Sequence, residues 1–355
     1  MEGVQSYDAI IAGGGIIGVS LALELRQRGL SVLVLDRGQP GAEASTAGAG
    51  MLVASEMEGP PELRELARLS AEMFPHFVQQ AEDASGVRVD FHRAGAIRLS
   101  AASLPSDPAP LTDAELAALE PALAGTSLRA HFVEENAVDP RTLMPALVES
   151  LKQAGGHIHA GSEVVAVGEQ FGGVTGVRTP QTSFAASIVV NCCGAWAANV
   201  APQVPARPVK GHMLALIPAK TPLLRHVVRL RDADLYLVPR RDGRIAVGST
   251  VEEAGFDKHV DPDTIQRLHQ RAADLVPDLG EAKMHEAWTG LRPGSPDKLP
   301  IMGATATRGL FVATGHFRNG ILLAPATAMV MADLITGSVP RIALAPFVPE
   351  RFPAR

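Results

Sequence analysis

Gly13, Gly15 and Gly18 form a G-x-G-x-x-G run, and Asp36 follows 23 residues after the first of them. That spacing suits a diphosphate held by main chain and a ribose held by a carboxylate. Gly13 permits the tight turn. Gly15 lets a pyrophosphate approach the backbone, and Gly18 lets a helix pack on a strand. Asp36 can accept from a ribose hydroxyl and would repel a 2′-phosphate, which disfavours NADP. A second turn of the same build lies near the other end: Thr314-Gly315-His316-Phe317-Arg318-Asn319-Gly320. Both turns open a helix, so both present unpaired N–H groups and a positive dipole end. Such turns hold electron-rich groups.

The flanking elements are legible. Tyr7 to Ala12 reads as an apolar strand. Ile17, Leu21, Ala22 and Leu25 have helical spacing that stops at Gly29, and Ser31 to Leu35 is a second strand. Gly309 to Ala313 and Ile321 to Ile335 repeat the strand–turn–helix order. Between these ends, helices are expected over Glu62 to Ala84, Leu111 to Leu119, Arg141 to Ala154 and Asp261 to Leu275. Val87 to Ser100 reads as paired strands around Arg93-Ala94-Gly95, and 101–110 as an exposed loop. Short strands follow: Glu163 to Val167, Val174 to Thr179 and Ser187 to Asn191. Pro202 to Pro208 marks a crossing. Beyond it, Leu235 to Pro239 and Arg244 to Thr250 flank Asp242-Gly243 as a hairpin, and Lys283 to Leu291 is a further strand. The pattern predicts an α/β chain in which a Rossmann-type unit is split into 1–85, 141–203 and 286–355. A strand-rich α+β unit, 86–140 and 204–285, is inserted between its segments. NAD needs only local βαβ units, whereas a cofactor with two polar ends, such as FAD, can use a distant second turn.

Composition narrows the class. The 355 residues carry a formal net charge of −6 with both signs interspersed. No basic face for nucleic acid and no polybasic membrane patch is visible. Asp333 interrupts the longest C-terminal apolar run, so no membrane span is expected. A signal-peptide reading of Ala9 to Leu23 is opposed by Glu2, Asp8 and the glycines. The only cysteines, Cys192 and Cys193, are adjacent. They give no disulfide framework, which points to the cytoplasm. His157 and His159 share one side of a strand without a third ligand, so no metal site is expected.

Four further runs carry a resemblance: Ser45-Thr46-Ala47-Gly48-Ala49-Gly50-Met51-Leu52, Gly194-Ala195-Trp196, Trp288-Thr289-Gly290-Leu291-Arg292-Pro293, and Gly315 through Pro325. With the first glycine turn they resemble, in order and over nearly the whole chain, the D-amino-acid oxidase family of flavoproteins. The resemblance implies a glutathione-reductase-like FAD domain, with FAD held non-covalently, roofed by an antiparallel sheet. Ile16, Ile17, Asp36 and Arg37 would meet the ADP half. Ser45 and the backbone of Ala49, Gly50 and Met51 would follow the cofactor toward its ring. Val164 would meet the adenine, and Gly194 would lie beside the cofactor. His316, Phe317, Arg318, Asn319, Gly320, Ile321 and Leu322 would sit at the pyrimidine edge of the flavin.

The implied reaction moves a hydride from the α-carbon of glycine, sarcosine, D-alanine or another small amino acid to flavin N5. Oxygen then yields hydrogen peroxide, and the imine hydrolyses to glyoxylate and ammonia in the glycine case. The implied setting is thiazole formation for thiamine, in a homo-oligomer. Arg292 is the expected carboxylate clamp, in a Leu-Arg-Pro turn at a strand end, because a planar guanidinium binds a carboxylate through two bonds. Tyr236 would donate to the other oxygen, and Arg318 would add a second cation at the flavin edge. Where relatives carry a histidine two positions before this tyrosine, the chain has Asp234. Where they carry a pocket-narrowing methionine, it has Val251. An extra carboxylate there would favour a cationic or N-substituted amine. Two alternatives stay open: a D-amino-acid dehydrogenase with another electron acceptor, and an FAD-binding assembly protein without turnover.

On residue type alone, several groups read as structural. Arg292 could be an ion-pair partner. Arg225, Arg229, Arg231, Arg240 and Arg241 read as a solvated strand face. Trp196 and Trp288 read as core, His212 as packing or flavin-side lining, and the two thiols as small apolar filler.

Overall fold

In the computed structural model, residues 4–55, 57–103, 107–231 and 233–352 are described. Glu2 and the middle of the loop expected over 101–110 lie outside them. The first strand, Ser6–Ala12, is central to an eight-stranded sheet. Parallel partners flank it: Ser183–Asn191 on one side and Val32–Leu35 on the other. Leu310–Thr314 pairs in parallel beyond Ser183–Asn191, and His157–His159 beyond Val32–Leu35. The sheet therefore brings strands from the beginning, middle and end of the sequence side by side. Val32–Leu35 is buried throughout and Leu310–Thr314 at all but Phe311, which suits a sheet covered on its faces.

Helices Ile16–Gln27, Pro61–Ser85, Pro140–Gln153 and Gly320–Ile335 pack together on this sheet. Gly320–Ile335 is apolar nearly all round and is the innermost of them. Pro325 interrupts its hydrogen-bond ladder. Ser70 Oγ, on Pro61–Ser85, fills the gap: it donates to Leu322 O and accepts from Ala326 N. Asp139 caps its helix through Arg141 N, and Thr112 and Glu115 form a capping box for Asp113–Leu119.

A second, seven-stranded sheet runs Lys283–Gly294, Arg207–Ile217, Ile245–Gly248, Leu235–Pro239, Val227–Leu230, Ala96–Ser100, Arg129–Val133. It is antiparallel except where Val227–Leu230 meets Ala96–Ser100. Helix Pro262–Leu275 covers one face of it. The hairpin around Asp242-Gly243 forms as expected. The expected pairing within Val87–Ser100 does not. Phe91–His92 joins Asn136–Val138 in a small third sheet, and Ala96–Ser100 joins the large one. Gly95 explains the parting: its φ is +87°, and a Cβ there would lie 2.5 Å from the Phe132 ring.

Candidate active site

Two cavities meet between the sheets. The first is walled by Gly13, Gly15, Ile16, Ile17, Asp36, Arg37, Ser45, Val164 and Gly194, and, from the C-terminal turn, by His316, Phe317, Arg318, Gly320 and Ile321. The second is walled by Ala49, Gly50, Met51, Asp234, Tyr236 and Asn319. Arg292, Phe317, Arg318 and Ile321 line both, so they stand at the junction.

Close packing explains the first turn. Gly13 has φ +106°, and a Cβ there would lie 2.4 Å from Cys192 O. A Cβ on Gly18 would lie 2.0 Å from Gly13 O, so this glycine is needed for helix–strand contact and not as cavity wall. Gly14 N donates to Asp36 Oδ2, and Gly38 N to Asp36 Oδ1. These bonds fix the carboxylate at the cavity edge. Ser45 Oγ accepts from Ile16 N at 2.9 Å.

The donors at the ends of the first cavity fit FAD. The helices starting at Ile16 and Gly320 both open onto it. Neither is capped by an N-cap side chain, and neither has an acid in its first turn. Two positive helix ends, about 300 residues apart in sequence, thus face one space. His316 adds an orphaned polar atom. Its Nε2 meets Thr327 Oγ1 at 3.2 Å, while Nδ1 is buried without a partner among the described residues. Burial pushes the imidazole pKa down to about 3, so it stays neutral.

Arg292 lies inside the strand Lys283–Gly294, opposite Val209, and not in a turn at a strand end. Its Nη1 donates to Thr250 O at 3.1 Å and to Lys210 O at 3.3 Å, and its Nη2 to Ser249 Oγ at 2.8 Å. All of these acceptors are neutral. Among the described residues no carboxylate forms an ion pair with it, and burial lowers its pKa from the ordinary guanidinium value. Tyr236 Oη donates to Met213 Sδ at 3.2 Å. Arg318 forms an ion pair with Asp234. Asp234 therefore does not offer an uncommitted carboxylate to an amine.

Several expectations change. Leu322 is buried in the core and walls neither cavity. Val251 is 43% exposed and is also in neither wall. Trp196 is cavity wall, not core: the Arg37 guanidinium lies 3.6 Å over its ring, and Phe256 stacks on it at 5.1 Å. Lys258 reaches Glu43 at 3.0 Å nearby, so the loop after Val251 is strapped to the wall of the first cavity. His212 lies behind the site, held by Glu252 at 2.8 Å and by Asp261 N at 3.0 Å.

Of the supposed solvated arginine face, Arg225 and Arg241 are exposed, but Arg229, Arg231 and Arg240 are mostly covered and engaged with distant partners. Arg229 pairs with Glu135, and Arg231 and Arg98 share Asp107. Arg240 donates to Ala49 O at 2.7 Å and to Val138 O at 3.3 Å, which secures the Ala49–Met51 backbone. Nothing in the spacing of these arginines identifies partners that come from distant segments. Both thiols border the first cavity and are held protonated by burial, Cys193 at about 12 and Cys192 higher still. Among the described residues no cluster of His, Cys, Asp or Glu could hold a metal, and no helix is long and apolar enough to cross a membrane.

Residues 8–334 match the model of the DAO family, described as FAD dependent oxidoreductase. The chain is 34% identical to a glycine oxidase of Geobacillus kaustophilus, over 96% of each chain. The crystal structure of glycine oxidase from that organism superposes with a TM-score of 0.92 at 32% identity, covering 99% of this chain and 100% of the other. This chain is also 37% identical, over 97% of its length, to a bifunctional protein ThiO/ThiG of Synechocystis sp., of which it spans 54%.

Proposed function

This chain belongs to the DAO family of FAD-dependent oxidoreductases, and from that premise we propose that it oxidises glycine or a similarly small amino acid, such as sarcosine or D-alanine. The observation that carries the reading is Arg292. A buried guanidinium that meets only neutral acceptors is incomplete until an anion joins it. An α-carboxylate matches its fork, and Tyr236, close by, can turn its hydroxyl from Met213 to the second oxygen.

Clamping the carboxylate at the junction points the α C–H bond at the first cavity, and that positioning does much of the catalytic work. FAD held in the first cavity would supply the hydride acceptor, and its reoxidation by dioxygen would give hydrogen peroxide. The amine enters neutral, so no protein base is required. Its nitrogen lone pair closes the C=N bond as the C–H bond breaks, and water then hydrolyses the imine. The N-terminus at Gly320 favours negative charge at its end of the cavity. We assign cofactor binding to 1–85, 141–203 and 295–355, and the substrate wall to 86–140 and 204–294, because the strand Lys283–Gly294 lies in the seven-stranded sheet. The relatives named ThiO/ThiG support a place in thiazole formation for thiamine.

The test is to mix FAD-loaded protein with glycine, sarcosine and D-alanine and follow flavin bleaching anaerobically and peroxide in air. Bleaching with peroxide, lost in Arg292→Ala, is the expected result. Bleaching without peroxide identifies a different electron acceptor. An unbleached flavin across the panel sinks the reading.

A further inference from the structure

The second cavity holds one unusual charge arrangement at its junction with the first. Arg292 and Arg318 both line it, as does Asp234. Asp234 pairs with Arg318, not with Arg292. The three groups sum to one positive charge, and the guanidinium left over is the buried one. The pair itself is accessible: side-chain exposure is 39% for Arg318 and 48% for Asp234. It is also built in. Asp234 O accepts from Ser249 N, beside the hydroxyl that holds Arg292, and Arg318 follows Phe317, whose φ is +49°. The other arginines of this cavity are engaged elsewhere, Arg229 with Glu135 and both Arg98 and Arg231 with Asp107, and Lys298 is a further cation on its wall.

We propose that Asp234 is a specificity determinant: by neutralising Arg318 it confines the site to amines with a single carboxylate and excludes those with two. The proposal rests on the amine-oxidase reading above and deepens it. A second carboxylate placed near Arg318 meets a cation already paired and the charge of Asp234 beside it. Replacing Asp234 by a neutral isostere frees the guanidinium and removes the repulsion together. Both effects favour a dicarboxylate.

The test uses ligands that cannot be oxidised. Acetate and malonate are titrated into FAD-loaded wild type, Asp234→Asn, and Asp234→Asn/Arg318→Ala, by calorimetry and by perturbation of the flavin spectrum. The expected result is a malonate-to-acetate affinity ratio about tenfold higher in Asp234→Asn at low salt. The gain disappears in the double variant. Turnover of iminodiacetate relative to glycine should rise in parallel. Acetate binding with an unchanged ratio overturns the proposal and leaves the amine-oxidase reading standing. Wild-type protein that binds neither carboxylate and bleaches with no amine overturns the reading, and the proposal with it.

Discussion

The guanidinium of Arg292 lies on the bare backbone of Gly211, so closely that a Cβ at 211 would sit 2.2 Å from Nη1 and 2.5 Å from Nη2. The atoms in the way belong to the tip of a flexible side chain. A methyl group there would move the clamp without breaking the strand. Gly211→Ala should therefore melt within a few degrees of wild type. Its kcat/KM for glycine should fall by about 100-fold, because a displacement of about 1 Å spoils the aim. Steady-state kinetics beside a thermal melt separates the two effects.

Gly13 makes the opposite prediction. Its neighbour at 2.4 Å is the Cys192 carbonyl, which is main chain and cannot swing away, and its φ of +106° is strained for any other residue. Gly13→Ala should cost stability, about 2 kcal/mol or more, and should reduce FAD retention. The ratio of flavin to protein after gel filtration, with melts in the presence and absence of added FAD, checks this.

His316 predicts a pH dependence. Its native pKa is held near 3, below the unfolded value near 6.5. The unfolded chain therefore binds the proton first as pH falls. Stability from this residue is complete above about pH 6.5 and is lost progressively toward pH 3, amounting to about 2 kcal/mol by pH 5. Denaturation midpoints of wild type and His316→Asn should converge as pH is lowered from 7 to 5. Parallel curves would remove His316 as the cause.

The adjacent thiols should be inert in the folded protein. Burial holds both in the protonated form at neutral pH, and the thiolate is the reactive species. A thiol reagent at pH 8 should modify neither in the FAD-loaded native protein and both after unfolding. Fast labelling of native protein would point instead to a reactive pair.

What was legible in the sequence was local. The two glycine turns, the Asp139 and Thr112 helix starts and the Asp242-Gly243 hairpin each write their geometry into adjacent residues, and each forms. What was not legible depends on partners from elsewhere. Arg240 has the polar, alternating context of a solvated strand, yet it holds the Ala49 carbonyl across 191 positions. Asp234 looks like an available carboxylate until Arg318, 84 residues away, is seen to occupy it. Phe91–His92 and Ala96–Ser100 have strand character individually, but no local signal says that they join different sheets.

The shared cavity also orders events during synthesis. Its two positive ends are contributed by helices that begin at Ile16 and Gly320. On the ribosome the first end emerges about 300 residues before the second. The nucleotide half can engage early. A complete grip on the cofactor waits for the second end and draws two distant segments together. Loading with flavin thus reports that translation has run far enough to build both ends of the site, and a chain cut short before Gly320 should hold the cofactor by one end alone.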